Sequence, residues 1–176
     1  LANIAKQGGA KRVIILRDPP AFSISGKLDS GEKKKQLGIS GTCFMYIGNL
    51  ETYQGIDLLL GSFAAAAGRG AKISLVIIGG TSSHIGKYKE MSAALGIAAS
   101  VRFLGPKPVS EVGDVAVAAD VLVSPRITGV NTPMKIYAYL NSGRPILATD
   151  IESHVQVLTP EIAVLEPADT GKFSDG

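Results

Sequence analysis

Residues 73–80 read Ile73-Ser74-Leu75-Val76-Ile77-Ile78-Gly79-Gly80, a short apolar run rich in β-branched side chains that stops on a pair of glycines. Apolarity that does not alternate suits a strand covered on both faces, as in a parallel sheet flanked by helices. Outward from this stretch the same form recurs, and further strands are expected at 12–16, 43–47, 101–104, 121–124, 146–148 and 163–165. Between them, 56–67 places Leu59, Leu60, Phe63 and Ala64 on one helical stripe, and Tyr88, Met91 and Leu95 recur at helical spacing in the next segment. Shorter helices are expected at 110–118, 133–140 and 154–158. Strand and helix in alternation predict an open α/β sheet.

Composition narrows the function classes. A chain of 176 residues with 45% apolar and 19% charged residues can build the full core of one domain. Its mean hydropathy of +0.24 is high for a free-standing domain and points to a covered surface. No apolar run approaches the roughly 18 residues of a membrane span. Cys43 is the single cysteine, which excludes a disulfide framework and a Cys-based zinc site and suits a reducing, cytoplasmic compartment. A dispersed net charge of +3 gives no footprint for nucleic acid, and the lack of Trp leaves few stacking platforms.

The ends differ from the middle. Asp18-Pro19-Pro20 stops the run at 12–16, and a Ser-, Gly- and Lys-rich stretch follows. Residues 18–41 are therefore expected to be a linker with a helical turn around 32–37, its Lys33-Lys34-Lys35 run a solvated face. Residues 1–17 then read as the tail of a preceding domain. Asp169-Thr170-Gly171-Lys172-Phe173 begins a helix just before the last residue, so both ends are expected to be cut.

In an open parallel sheet, ligands bind beyond the carboxyl ends of the strands. Three such ends carry unusual loops, at 48–55, 79–82 and 124–133. Glycines there allow close backbone approach by a phosphate or a sugar, although any single βα loop needs glycine simply to turn. Asn131-Thr132-Pro133 reads as an N-cap followed by proline at the first helical position. Lys135 falls in the first turn of that helix, where a cation opposes the helix dipole unless an anion neutralises it. Arg126, just past its strand, is placed to reach the same anion. The chain has no G-x-G-x-x-G and no P-loop sequence, which disfavours a dinucleotide-binding dehydrogenase and a Walker NTPase. Asp150 and Glu152 fit helix capping better than metal binding, and His84 and His154, each alone in its segment, read as solvent-facing or hydrogen-bonded. No metal site is expected.

The ordered series YIGNLETYQGIDLLLGSFAAA, LVIIGG, VRFLGP, AADVLVSPR, NTPMKIYAYLNSGRPILATD and SHVQVL resembles the C-terminal domain of glycosyltransferase family 4, the group 1 glycosyltransferases. The match runs in order over roughly residues 42–168. The resemblance implies the GT-B fold, two Rossmann-like domains with a cleft between them. In that frame residues 42–176 form a three-layer Rossmann-like domain with a mainly parallel sheet, which holds a nucleotide-sugar donor and is truncated at its C-terminus. Residues 1–17 end an N-terminal domain that holds the acceptor.

Carried onto this chain, the resemblance puts the donor phosphates near Gly48 and around Asn131 and Thr132. Base and ribose go near Gly79, Gly80, Leu104, Gly105 and the helix containing Ala138, and the sugar goes against Gly129, Val130, Asn131 and Thr132. The family's usual basic phosphate clamp in the first loop is replaced here by Asn49 and Gln54, and its usual glutamates by Val130 and Ala138. Arg126 and Lys135 are the cations left to replace that clamp, and they are the expected catalytic pair. The expected activity is retaining, metal-independent and cofactor-free transfer of a sugar from a nucleoside diphosphate to an acceptor hydroxyl, in cell-envelope glycan or glycoconjugate synthesis. The full-length enzyme would associate peripherally with the inner face of the membrane, and this fragment alone would be inactive. The missing charges also support an alternative, a degenerate GT-B domain acting as a binding or assembly module.

Overall fold

The computed structural model describes residues 2–14, 19–24 and 29–176. In chain order the elements are α1 (Ala2–Gln7), α2 (Ser30–Gln36), β1 (Thr42–Ile47), α3 (Ile56–Gly68), β2 (Ile73–Ile78), α4 (Ser82–Ala94), β3 (Val101–Gly105), α5 (Val109–Ala116), β4 (Val121–Ser124), α6 (Lys135–Asn141), β5 (Ile146–Thr149), α7 (Glu152–Val155), β6 (Val164–Glu166) and α8 (Thr170–Asp175). Single 3-10 turns lie at Thr52–Gln54 and Ala98–Ser100. The strands form one parallel sheet in the order β3-β2-β1-β4-β5-β6.

Side chains on each strand alternate between two cores. Met45, Ile47, Val76 and Ile78 face one side and pack with Val112 and Val115 of α5 and Ile136 and Tyr139 of α6. Tyr46, Leu75 and Ile77 face the other, against Leu59, Leu60 and Phe63 of α3, Tyr88 of α4 and Phe173 of α8. Both faces are covered, which is why these strands read as unbroken apolar runs.

The strand order reverses between β1 and β4, and there the ladder stops early. The two strands pair at Phe44 with Val121 and at Met45 with Leu122. Beyond that point they part, and α6 fills the gap with one hydroxyl. The Ile47 amide donates to Tyr139 Oη at 3.1 Å, and Tyr139 Oη donates to the Val123 carbonyl at 3.4 Å. This reversal puts the switch point of the sheet at the carboxyl ends of β1 and β4, where doubly wound sheets have their ligand crevice.

Three expectations need correction. Residues 12–14 form no strand and Ile14 is exposed, while 15–18, which include the rest of that expected strand and Asp18, lie outside the described residues. The lysine run is a solvated face only at Lys35, which is exposed. Lys33 is buried and paired with Asp114 at 2.5 Å, and Lys34 pairs with Asp120, whose Oδ2 also accepts from the Cys43 amide at 2.7 Å. These contacts fasten α2 to α5 and to the amino-terminal ends of β1 and β4, and Leu37 and Ile39 pack on the core beside it. Finally, the helix expected at 154–158 sits earlier and is shorter, as α7.

Candidate functional site

Glycines bring the strand ends together. Gly48, at φ +153°, donates its amide to the Ile78 carbonyl at 3.0 Å, and Gly79 donates to the Gly105 carbonyl at 2.8 Å. A methyl group on Gly79 would stand 2.0 Å from the Gly48 carbonyl oxygen, and one on Gly55 would stand 1.9 Å from the Pro125 oxygen. The loops after β1, β2 and β4 thus pack backbone to backbone. Gly80 abuts Leu50, and Leu104 is half-buried beside the core. Tyr46 Oη donates to the Asn49 carbonyl at 2.6 Å, while the Asn49 side chain stays exposed.

Lys135 projects from α6 into this junction. Its Nζ donates to Gln54 Oε1 at 3.1 Å and lies 4.0 Å from the centre of the Tyr46 ring, beside Gly48. Of the two stretches expected to share a ligand, Gly48 stands beside Lys135, four residues past Asn131, and Arg126 links the Asn131 carbonyl to the Tyr53 ring of the first loop. Gln54 is buried and occupied by Lys135, and Ala138, one turn further on, is fully buried. Among the described residues no carboxylate pairs with Lys135 or with Arg126. Burial first, and then the Arg126 charge, lower the Lys135 pKa from its usual 10.5 to about 7.

Arg126 is engaged with its own loop. Its Nε donates to the Thr128 carbonyl at 2.7 Å and its Nη1 to the Asn131 carbonyl at 3.1 Å, and it stacks over Tyr53 at 5.3 Å. Gln156 reaches the same loop from the end of α7, donating to the Val130 carbonyl at 2.6 Å and accepting from Thr132 Oγ1 at 3.4 Å. These side chains hold 128–132 in a loop, so the helix begins at Lys135 and not at Pro133, with Met134 as an N-cap that makes no side-chain bond. The capping role expected of Asn131 and Thr132 is therefore not realised.

Beneath the loop lies a buried polar relay around His154, which takes the hydrogen-bonded of its two expected settings and not the solvent-facing one. His154 Nδ1 is 2.8 Å from the Thr149 carbonyl, which can only accept, so Nδ1 carries the proton. Nε2 then accepts from Ser124 Oγ at 2.9 Å, and Thr149 Oγ1 donates to the Arg126 carbonyl. Burial lowers the His154 pKa to about 4, against the Thr149 hydrogen bond and with help from Lys135 and Arg126. The ring stays neutral and ties the ends of β4 and β5 to the Arg126 loop. Among the described residues no group of three or more His, Cys, Asp or Glu could hold a metal ion.

Two cations with no carboxylate partner among the described residues stand here beside main-chain amides, a chemistry suited to an anion. A family model described as glycosyl transferases group 1 matches residues 41–176. A D-inositol 3-phosphate glycosyltransferase of Corynebacterium diphtheriae is 29% identical over 162 residues, covering 88% of this chain and 36% of that protein. Its counterpart in Corynebacterium glutamicum is 29% identical over 166 residues, covering 90% and 38%. The chain thus spans well under half the length of these curated relatives. Among solved structures, Anabaena HepE in complex with UDP-glucose superposes with a TM-score of 0.79 at 14% identity, over 99% of this chain and 50% of that one. The C-terminal domain of a glycosyl transferase group 1 family protein (LpcC) of Francisella tularensis gives 0.72 at 16% identity, over 90% and 85%. These likenesses establish the fold as that of GT-B C-terminal domains.

Proposed function

The chain belongs to the group 1 glycosyl transferases, and on that premise we propose that its crevice seats the diphosphate of a nucleoside-diphosphate sugar. The observation that carries the reading is Lys135, a half-buried cation with a lowered pKa, a second cation nearby and no carboxylate partner among the described residues. A buried charge without a partner is costly, and an anionic ligand removes that cost. Relatives whose solved structures hold UDP or UDP-glucose agree with this choice of ligand.

In the reaction, the bond from the anomeric carbon to the diphosphate oxygen breaks with its electrons passing to the diphosphate. The acceptor oxygen forms the new bond on the same face of the sugar, and its proton goes to the departing phosphate. Lys135 and the amides of the 128–132 loop stabilise the charge gathering on that leaving group. Arg126 holds the loop in shape and adds positive potential. The reading calls for no metal and no cofactor, since these cations stand where a divalent ion would otherwise act. The acceptor would be held by an N-terminal GT-B domain, in cell-envelope glycan synthesis at the cytoplasmic face of a membrane. No helix among the described residues is long and apolar enough to cross a membrane, and the proposed association is peripheral. This chain by itself would bind donor and transfer nothing.

Calorimetric titration of the chain with UDP, GDP and ADP tests the reading. One of them is expected to bind, and Lys135→Ala to weaken it by about tenfold or more, the loss of a charge-assisted contact. Absence of heat from all three overturns the proposal. That outcome favours the second reading, a degenerate binding or assembly module, for which the uncharged Asn49, Gln54, Val130 and Ala138 around the crevice speak.

A further inference from the structure

We infer that Gln156 is a positioning residue: together with Arg126 it sets the peptide orientation of the 128–132 loop so that the amides of Gly129, Asn131 and Thr132 are presented to an anion. The inference rests on the donor reading of the same crevice and adds a residue that reading does not need.

In a trans peptide the carbonyl of one residue and the amide of the next point in opposite directions. Three successive anchors therefore fix three amides. Arg126 Nε holds the Thr128 carbonyl, Gln156 Nε2 holds the Val130 carbonyl and Arg126 Nη1 holds the Asn131 carbonyl. The amides of Gly129, Asn131 and Thr132 must then point away from those donors, and none of them bonds to another described residue. Without Gln156 the 130–131 peptide is free to rotate and offer its oxygen, which would repel a phosphate.

Gln156 is suited to this work although it is exposed. Both ends of its amide engage one loop, the nitrogen at Val130 and the oxygen at Thr132. Its backbone is fixed from below, because His154, two residues earlier, is buried and tied to Ser124 and Thr149. The side chain therefore reaches out from a rigid base.

The test uses Gln156→Met, which keeps the length and removes the amide. Because the side chain is exposed, the thermal midpoint is expected to stay within about 1 °C of wild type. UDP, or whichever of UDP, GDP and ADP the wild type prefers, is expected to bind about tenfold more weakly. A second measurement reads the loop directly. Adding the nucleotide to wild type should shift the nitrogen–proton signals of Gly129, Asn131 and Thr132. In the variant those shifts should collapse while the signals of Gly48 and Gly79 still respond, a pattern that general destabilisation does not produce. Binding within twofold of wild type, or loop signals that ignore the nucleotide in wild type, overturns the inference and leaves the donor reading standing. A wild type that binds none of the three nucleotides overturns both.

Discussion

An ammonium group whose company is a ring face and one amide oxygen is poorly solvated, and this burial first, then the Arg126 charge, lowers the Lys135 pKa from 10.5 to about 7. A bound diphosphate reverses the balance and raises the pKa. Above pH 7 the free site is largely neutral, so binding must take up a proton there. Affinity for nucleotide should be highest near pH 7 and fall as pH rises, by up to about tenfold per unit until the bound-state pKa is reached. Titrations at pH 7, 8 and 9 measure this, and a wild-type affinity that is flat across them contradicts it. Lys135→Arg keeps its charge throughout and should flatten the profile.

At the scale of elements, α6 closes the gap that β1 and β4 leave. Tyr139→Phe deletes the hydroxyl that serves the Ile47 amide and the Val123 carbonyl, both in buried surroundings. The expected cost is about 2 kcal/mol, read as a lower urea midpoint with an unchanged slope. An unchanged midpoint would mean that water or a ladder bond replaces the hydroxyl. The element boundaries also show what local sequence conveys. The strands around 43–47 and 73–78 were legible because burial on both faces writes an apolar run into the chain. The start of α6 was not, because Asn131-Thr132-Pro133 is a good capping sequence whose neighbouring carbonyls are claimed by Arg126 and Gln156. The run at 12–16 misled for the opposite reason: its composition suits a strand, yet its described part, 12–14, joins none.

For the whole molecule, α2 docks at the amino-terminal ends of the strands and the crevice lies at the carboxyl ends. Deleting residues 1–41 should therefore lower stability, through loss of the Lys33–Asp114 and Lys34–Asp120 pairs and the Leu37 and Ile39 contacts, while nucleotide affinity stays within twofold. Denaturant melts and calorimetry on the shortened chain decide this, and a large loss of affinity would place α2 in communication with the crevice. That docking was illegible from sequence because Asp114 and Asp120 lie some 80 residues from their lysines. The candidate site was legible in part. Its glycine loops and cations could be named, but Gln156 acts on Val130 and Thr132, and His154 on Ser124, 24 to 30 residues away in sequence, contacts that no local pattern encodes. Helix α6 carries Lys135 and Tyr139 a single turn apart, the first beside the Gly48 loop at the mouth of the crevice and the second joining its walls. Mouth and walls consequently travel as one piece, so this scaffold would adapt to a bulkier cargo by sliding a whole helix, and trimming one side chain would not suffice.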